Sequence, residues 1–300
     1  MLSIRHSLNV NPPPVDQPPL SLLERAALRK AAQDAGFDML DNLPRAVRCR
    51  SSHAPLMAWV TPAALSPVSP TSAPGQPSSP GQVVVALAMP TVVHALGPVP
   101  EGAQALTTSS DAELIALAAQ ALEAPVDAIA GWFRVYSPRQ LERLLRRSWD
   151  LSRSLPNALE KRFEVAVQTA SSTEREATVR QRIGQNLFRE GLMALWGGRC
   201  AITKLAVPEL LRASHAKAWA DATDAERLDV FNGLLLAAHL DAAFDAGLIC
   251  VSAEGQVACS PRLPDQAKAL LGLDAVLTVP LMPAHEPYLA WHRQKVFQAG

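Results

Sequence analysis

Along residues 20–35, LSLLERAALRKAAQDA, apolar side chains recur every three or four positions, the spacing that lines one face of an α-helix, and Gly36 stands where glycine commonly ends one. Residues 48–60 and 83–88 have the apolar, β-branched and aromatic character of strands, and helix 20–35 is expected to pack on the small sheet they form. Between them lies TPAALSPVSPTSAPGQPSSPGQ, with six prolines and almost no charge. Proline cannot donate to a sheet ladder, so residues 61–82 read as a hairpin insertion or loop. Helical spacing returns at 111–122 behind a Ser/Asp cap, and at 138–154, basic on one side through Arg139, Arg143, Arg146 and Arg147. Leu155-Pro156-Asn157 then marks a boundary, because a proline disfavours helical geometry in the residue before it. Helices are predicted over 157–168 and 173–196, the second capped by Ser172 or Thr173, with Glu174 and Glu176 in its first turn and Gly197-Gly198 as its stop. Shorter mixed elements follow at 200–203, 210–215 and 232–247, with a polar loop reaching residue 229. No internal repeat is visible.

The pattern predicts an α+β protein: a small α+β accessory domain over 1–137, a basic helical connector over 138–156, and a second domain over 157–300. A chain of 300 residues with 48% hydrophobic content can build such cores without disulfides or structural metal. The cysteines, Cys49, Cys200, Cys250 and Cys259, form no C-x-x-C pair, which argues against a zinc ribbon and a secreted disulfide framework. No run approaches the roughly 18 apolar residues of a membrane span, and the N-terminus lacks a signal-peptide pattern, so a cytoplasmic protein with no membrane partner is expected.

Net charge is zero and nominates no partner by itself, but its distribution is uneven. Residues 139–199 hold twelve Lys/Arg against seven Asp/Glu, whereas residues 221–245 hold six acidic residues and the single basic Arg227. A basic segment beside an acidic one suits a phosphate grip next to a cation site, although two solvated surfaces would look the same.

The most informative stretch is RCAITKLAVPELLRASHAKAW, a variable loop, and FNGLLLAAHLDAAFDAGLICVSAEG. With His215 in Ala-Ser-His, Asn232 in Asn-Gly-Leu and Asp241 nine residues later, it resembles the HNH endonuclease family, in its zinc-free branch of bacterial restriction-type proteins. The resemblance extends upstream through TEREATVRQRIGQNLFREGL, downstream through Tyr288-Leu289-Ala290-Trp291-His292-Arg293, and faintly into residues 26–60. It implies a ββα-metal nuclease module over 157–300 with its core at about 199–252, His215 as general base and Asn232 as the residue that orients the imidazole or its backbone. It further implies DNA as partner, a divalent ion as cofactor, and a setting in restriction or phage defence. The alternative is an inactive nucleic-acid-binding regulator that keeps the fold, suggested by Ser214 where relatives place a metal ligand.

Elementary chemistry agrees with this assignment. Phosphodiester hydrolysis needs a base near neutrality, a cation for the charge on oxygen, and something to hold the base. Asp241 and Asp245, four residues apart, share one helix face and can converge on an ion, whereas His239 lies about 200° from Asp241 around an ideal helix. The two aspartates are therefore preferred, with His239 the alternative. Carboxylate ligands favour Mg²⁺ or Mn²⁺ over zinc. Asp245 could instead bond nearby backbone at the helix end. Arg180, Arg182, Arg189 and Arg199 are candidates for DNA phosphate contacts, the plainer reading being a charged helix face. His53, His94 and His292 read as structural, Gln185, Phe188 and Trp196 as packing, and Cys200 as a small buried residue. The N-terminal half carries no catalytic signature and fits either a DNA-recognition surface or a plain sheet core. A serine hydrolase is disfavoured because no G-x-S-x-G elbow is present. Double-strand cleavage with one site per chain would favour a homodimer.

Overall fold

The computed structural model describes residues 19–62, 82–96, 102–169 and 176–300. The chain divides into two compact units, one from Met1–Ser52, Leu56–Val93 and Pro98–Arg146, the other from His53–Pro55, His94–Gly97 and Arg147–Gly300.

In the first unit, α1 (Leu22–Asp34) opens with a capping box. Ser21 Oγ accepts from the Glu24 amide at 3.2 Å, and the Glu24 carboxylate accepts from the Ser21 amide at 2.9 Å. The sheet contains β1 (Asp38–Asn42), β2 (Val47–Arg50), β3 (Met57–Pro62), β4 (Val83–Leu87), β5 (Gln104–Leu106) and β6 (Gly131–Val135). Its order is β1-β2-β3-β4-β6-β5, with every neighbour antiparallel. The strand expected over 48–60 is in fact two, because the polar Ser51-Ser52-His53 run and donor-less Pro55 favour a reversal; the Ser51 amide donates to the Leu56 carbonyl at 2.9 Å. β3 and β4 pair from Ala58↔Leu87 to Pro62↔Val83, so the proline-rich segment joins two neighbouring strands. Most of that segment, 63–81, lies outside the described residues, as do Ser172, Thr173 and Glu174.

β1, β5 and β6 have no counterpart among the predicted strands. β6 buries Trp132, Phe133 and Val135 within only five residues, too short a run for a period of two to stand out. A short α2 (Pro90–Ala95) follows β4, and α3 (Ala112–Leu122) lays Leu114, Ile115, Ala118 and Leu122 on the face made by Trp59, Val84, Ala86 and Trp132. Val85 and Leu87, which alternate with those β4 residues, are also buried, as expected for a strand covered on both faces. α4 (Pro138–Ser154) has its sequence-predicted bounds, and its residues are divided between the two units.

After the end of α4, the second unit continues with α5 (Pro156–Thr169), whose first position suits a proline, and α6 (Glu176–Leu195). β7 (Leu211–His215), α7 (Asp224–Leu228), β8 (Gly233–Ala237) and α8 (Ala238–Asp245) come next. β9 (Ile249–Val251), β10 (Val257–Cys259), α9 (Asp265–Leu270) and α10 (Glu286–Lys295) complete it. β8, Gly-Leu-Leu-Leu-Ala, is buried throughout, and α6 packs against β7 and β8 with Leu187, Phe188, Leu192 and Leu195 all buried. Cys200 is the small buried residue expected: its Sγ accepts from the Ala237 amide at 3.3 Å and ties the chain after α6 to the end of β8. No helix among the described residues is long and apolar enough to cross a membrane.

Candidate active site

β7 and β8 pair antiparallel with His215 opposite Gly233, which sets His215 at the end of its strand directly beside the start of the next. Gly233 is extended, and a Cβ there would meet Phe188 at 2.5 Å and the Ser214 carbonyl at 2.7 Å. Its missing side chain lets Phe188 slide under the imidazole. The Phe188 and His215 rings stack with centroids 3.7 Å apart and planes 12° from parallel, and Trp219 meets the imidazole edge-on at 5.5 Å.

His215 Nε2 lies 3.1 Å from the Arg227 carbonyl oxygen. A carbonyl only accepts, so Nε2 is assigned the proton, and neutral His215 keeps the Nδ1 lone pair. Burial pushes the His215 pKa below its ordinary value, the Arg227 carbonyl opposes that shift, and the Arg227 charge adds to it. The ring is thereby held neutral and in one tautomer.

Asn232 is fully buried and does not bond the imidazole, contrary to the direct contact considered from sequence. Its Oδ1 accepts from the Lys217 amide at 2.8 Å, while Nδ2 donates to the carbonyls of Glu226 at 2.9 Å and Lys217 at 3.4 Å. The Asn232 carbonyl also accepts from the Ala216 amide at 2.9 Å. The side chain therefore ties Lys217, the second residue after His215, to Glu226, the residue before Arg227 in α7. It fixes the carbonyl on which the imidazole hangs. A buried amide with all these bonds satisfied has little freedom to do otherwise.

α8 starts directly after β8 and carries Asp241 and Asp245 on one face. Both line an open cleft of about 400 Å³ together with His215, Ser214 and Arg212. The Ser214 hydroxyl donates to Asp245 Oδ1 at 3.5 Å. Burial raises the pKa of Asp241, opposed by Ser214 and the Arg212 charge; burial also raises that of Asp245, reinforced by the Asp241 charge and opposed by Ser214. His239, two residues before Asp241, is exposed and does not line the cleft. Among the described residues, no group of three or more His, Cys, Asp or Glu side chains forms a complete metal cage.

The arginines differ sharply in employment. Arg189 donates to the carbonyls of Leu211 at 2.8 Å and Pro208 at 2.9 Å, so it straps α6 to the start of β7. Arg182 and Arg199 are exposed, and Arg180, also exposed, sits over the Phe163 ring. Sequence reasoning missed the cradle of Trp219, which comes from a loop, and the Arg227 carbonyl, which comes from α7, a helix of five residues too short to show a period. His292 also borders the cleft, buried and stacked on Phe244 at 3.7 Å.

Residues 200–252 match a family model described as HNH endonuclease. A search of curated proteins finds no match to the chain.

Proposed function

Starting from a module at 200–252 that belongs to the HNH endonuclease family, we propose that this chain hydrolyses DNA phosphodiester bonds with His215 as general base and a divalent ion at Asp241 and Asp245. One observation carries the reading. A histidine locked in one tautomer lines the same cleft as two carboxylates on consecutive turns of one helix. Nδ1 takes a proton from water as the water oxygen bonds to phosphorus, and the bridging P–O bond breaks to release one DNA end. Asn232 acts at a distance by holding the Arg227 carbonyl, making it a positioning residue.

The carboxylates fit a hard cation. Both are partly desolvated and Asp245 is strained further by the Asp241 charge, a repulsion that a bound cation relieves. Asp241 and Asp245 would supply hard oxygen ligands, which suit Mg²⁺ or Mn²⁺. When bound, such an ion stabilises charge developing on the phosphoryl oxygens. His239 is exposed and does not line the cleft, and it is left outside the ligand set.

DNA recognition through the N-terminal unit and a role in restriction or phage defence complete the proposal, both supported by the sequence resemblance. Ser214, in a position where a ligand would strengthen the metal site, favours the second reading of a regulator that binds DNA without cutting it. Incubating the full chain with plasmid DNA and Mn²⁺ separates the two. Cleavage that disappears in His215→Ala supports the nuclease, and binding without cleavage by the wild type supports the regulator.

A further inference from the structure

A second pocket, of about 330 Å³, opens in the same unit between α5, α6 and α7. Its walls include Phe163 and Trp219, its floor Gly184 and Leu228, and its rim Arg180 and Arg227. The Arg180 guanidinium lies 5.3 Å from the Phe163 ring centroid and that of Arg227 5.1 Å from Trp219. A Cβ on Gly184 would reach the Trp219 ring at 3.2 Å and both Phe163 and Leu228 at 3.7 Å. Glycine weakens the interior of a helix relative to alanine. Here it leaves open the floor between two aromatic rings.

We propose that this pocket takes one unpaired nucleobase of the DNA strand next to the phosphate cut at His215, with a neighbouring backbone phosphate against Arg180. The identity of the ligand rests on the nuclease reading above; the pocket itself does not. Trp219 lines both this pocket and the catalytic cleft, and its ring edge touches the imidazole. Arg227 is shared in another way: its carbonyl holds His215 Nε2 while its side chain rims the pocket, fixed by Asp224 at 2.7 Å and the Trp219 carbonyl at 2.9 Å. A strand running through the cleft therefore has an aromatic slot one side chain away. Aromatic faces stack on any base, and guanidinium groups complement the phosphate between bases. Asp224 neutralises part of the charge of Arg227, which leaves Arg180 as the phosphate contact. A volume near the small end of the roughly 300 to 1,000 Å³ typical of ligand pockets admits a single ring system and not a paired duplex. Bases already unpaired enter at the lowest cost, so single-stranded or mismatched DNA is the preferred ligand.

Binding of short fluorescein-labelled oligonucleotides, single-stranded or fully paired, to the full chain in EDTA reads the pocket without cleavage. Gly184→Leu, which fills the floor, and Phe163→Ala, which removes a wall, should each weaken single-strand binding about fivefold or more, the lower end of what one base stack supplies, while leaving duplex binding unchanged. If Gly184→Leu does not fold, Phe163→Ala and Arg180→Ala carry the test. Folded variants that bind single strands as the wild type does, that lose both DNA forms equally, or a wild type that binds no single strand, would each overturn the pocket. Cleavage by the wild type in Mn²⁺ is scored separately. Selective loss of single-strand binding in a protein that never cuts keeps the pocket and removes the nuclease, whereas cutting with unaffected variants does the reverse.

Discussion

His215 and His292 are built alike and end up opposite. Each imidazole stacks on a phenylalanine with centroids 3.7 Å apart, Phe188 for the first and Phe244 for the second. Each also places Nε2 on a backbone carbonyl, at 3.1 Å from Arg227 and 3.0 Å from Phe244. The difference lies at the other nitrogen. His215 is half-buried in the wall of the cleft, while His292 is 2% exposed and its Nδ1 is enclosed without a hydrogen-bond partner. Burial drives the His292 pKa down to about 4, partly opposed by the Phe244 carbonyl. An enclosed acceptor without a partner costs about 1 to 3 kcal/mol, so packing must carry what His292 contributes. The stack and the carbonyl only prepare a neutral imidazole. Access to Nδ1 decides whether that ring can be a base or a strut.

The comparison breaks most visibly by truncation. His215→Ala should lower DNA cleavage about 10²- to 10⁴-fold with little change in stability. His292→Ala should cost about 3 kcal/mol in urea unfolding while the folded fraction cuts at a similar rate. Plasmid cleavage and unfolding curves on both variants check the pair, and the reverse assignment of losses would dissolve the distinction. On the neighbouring carboxylates, Asp241→Ala should weaken Mn²⁺ binding by about tenfold or more, while His239→Ala leaves it nearly unchanged. Calorimetric titration that found the opposite order would move the ligand role to His239.

Acid sharpens the contrast through stability. His285, 1% exposed, and His292 both have folded pKa values lowered to about 4, chiefly by burial. The unfolded chain, with ordinary histidines, binds more protons between those values and the usual 6.5. Stability from each ring is therefore complete above pH 6.5 and falls with pH until about 4, by up to about 3 kcal/mol per histidine. Urea unfolding across this window should show the decline, and His285→Phe should flatten part of it; an unchanged slope would mean the ring is not buried neutral. The smallest effect is expected at Gly233→Ala. Its methyl presses on Phe188 and the Ser214 carbonyl, costing about 1 to 3 kcal/mol and tilting the stack beneath His215. Full stability and full activity in that variant would show that the close approach is slack.

Helices were the most legible part of the sequence, because capping and a period of 3.6 are local. Residues 20–35, 111–122 and 138–154 announced α1, α3 and α4 in this way. β1, β5 and β6 were not legible, since three to five residues cannot establish alternation, and the β2–β3 reversal was hidden inside one apolar-looking run. The candidate site divides along the same line. Asp241 and Asp245 could be put on one face from their spacing, and the cleft lining contains both. The cradle of His215 could not, because Phe188 comes from α6 and the Arg227 carbonyl from the five-residue α7, too short to show a period. The available signal for Phe188 was its place on the apolar face of α6 that had to cover the wholly hydrophobic β8.

Nitrogen-15 NMR of the imidazoles, with the His215 resonance assigned by its absence in His215→Ala, tests the proposed base most directly. Expected is a neutral ring protonated on Nε2, with Nδ1 unprotonated and a pKa below the ordinary 6.5. A neutral ring carrying its proton on Nδ1, or a pKa above that value, would contradict the assignment of His215 Nδ1 as the base.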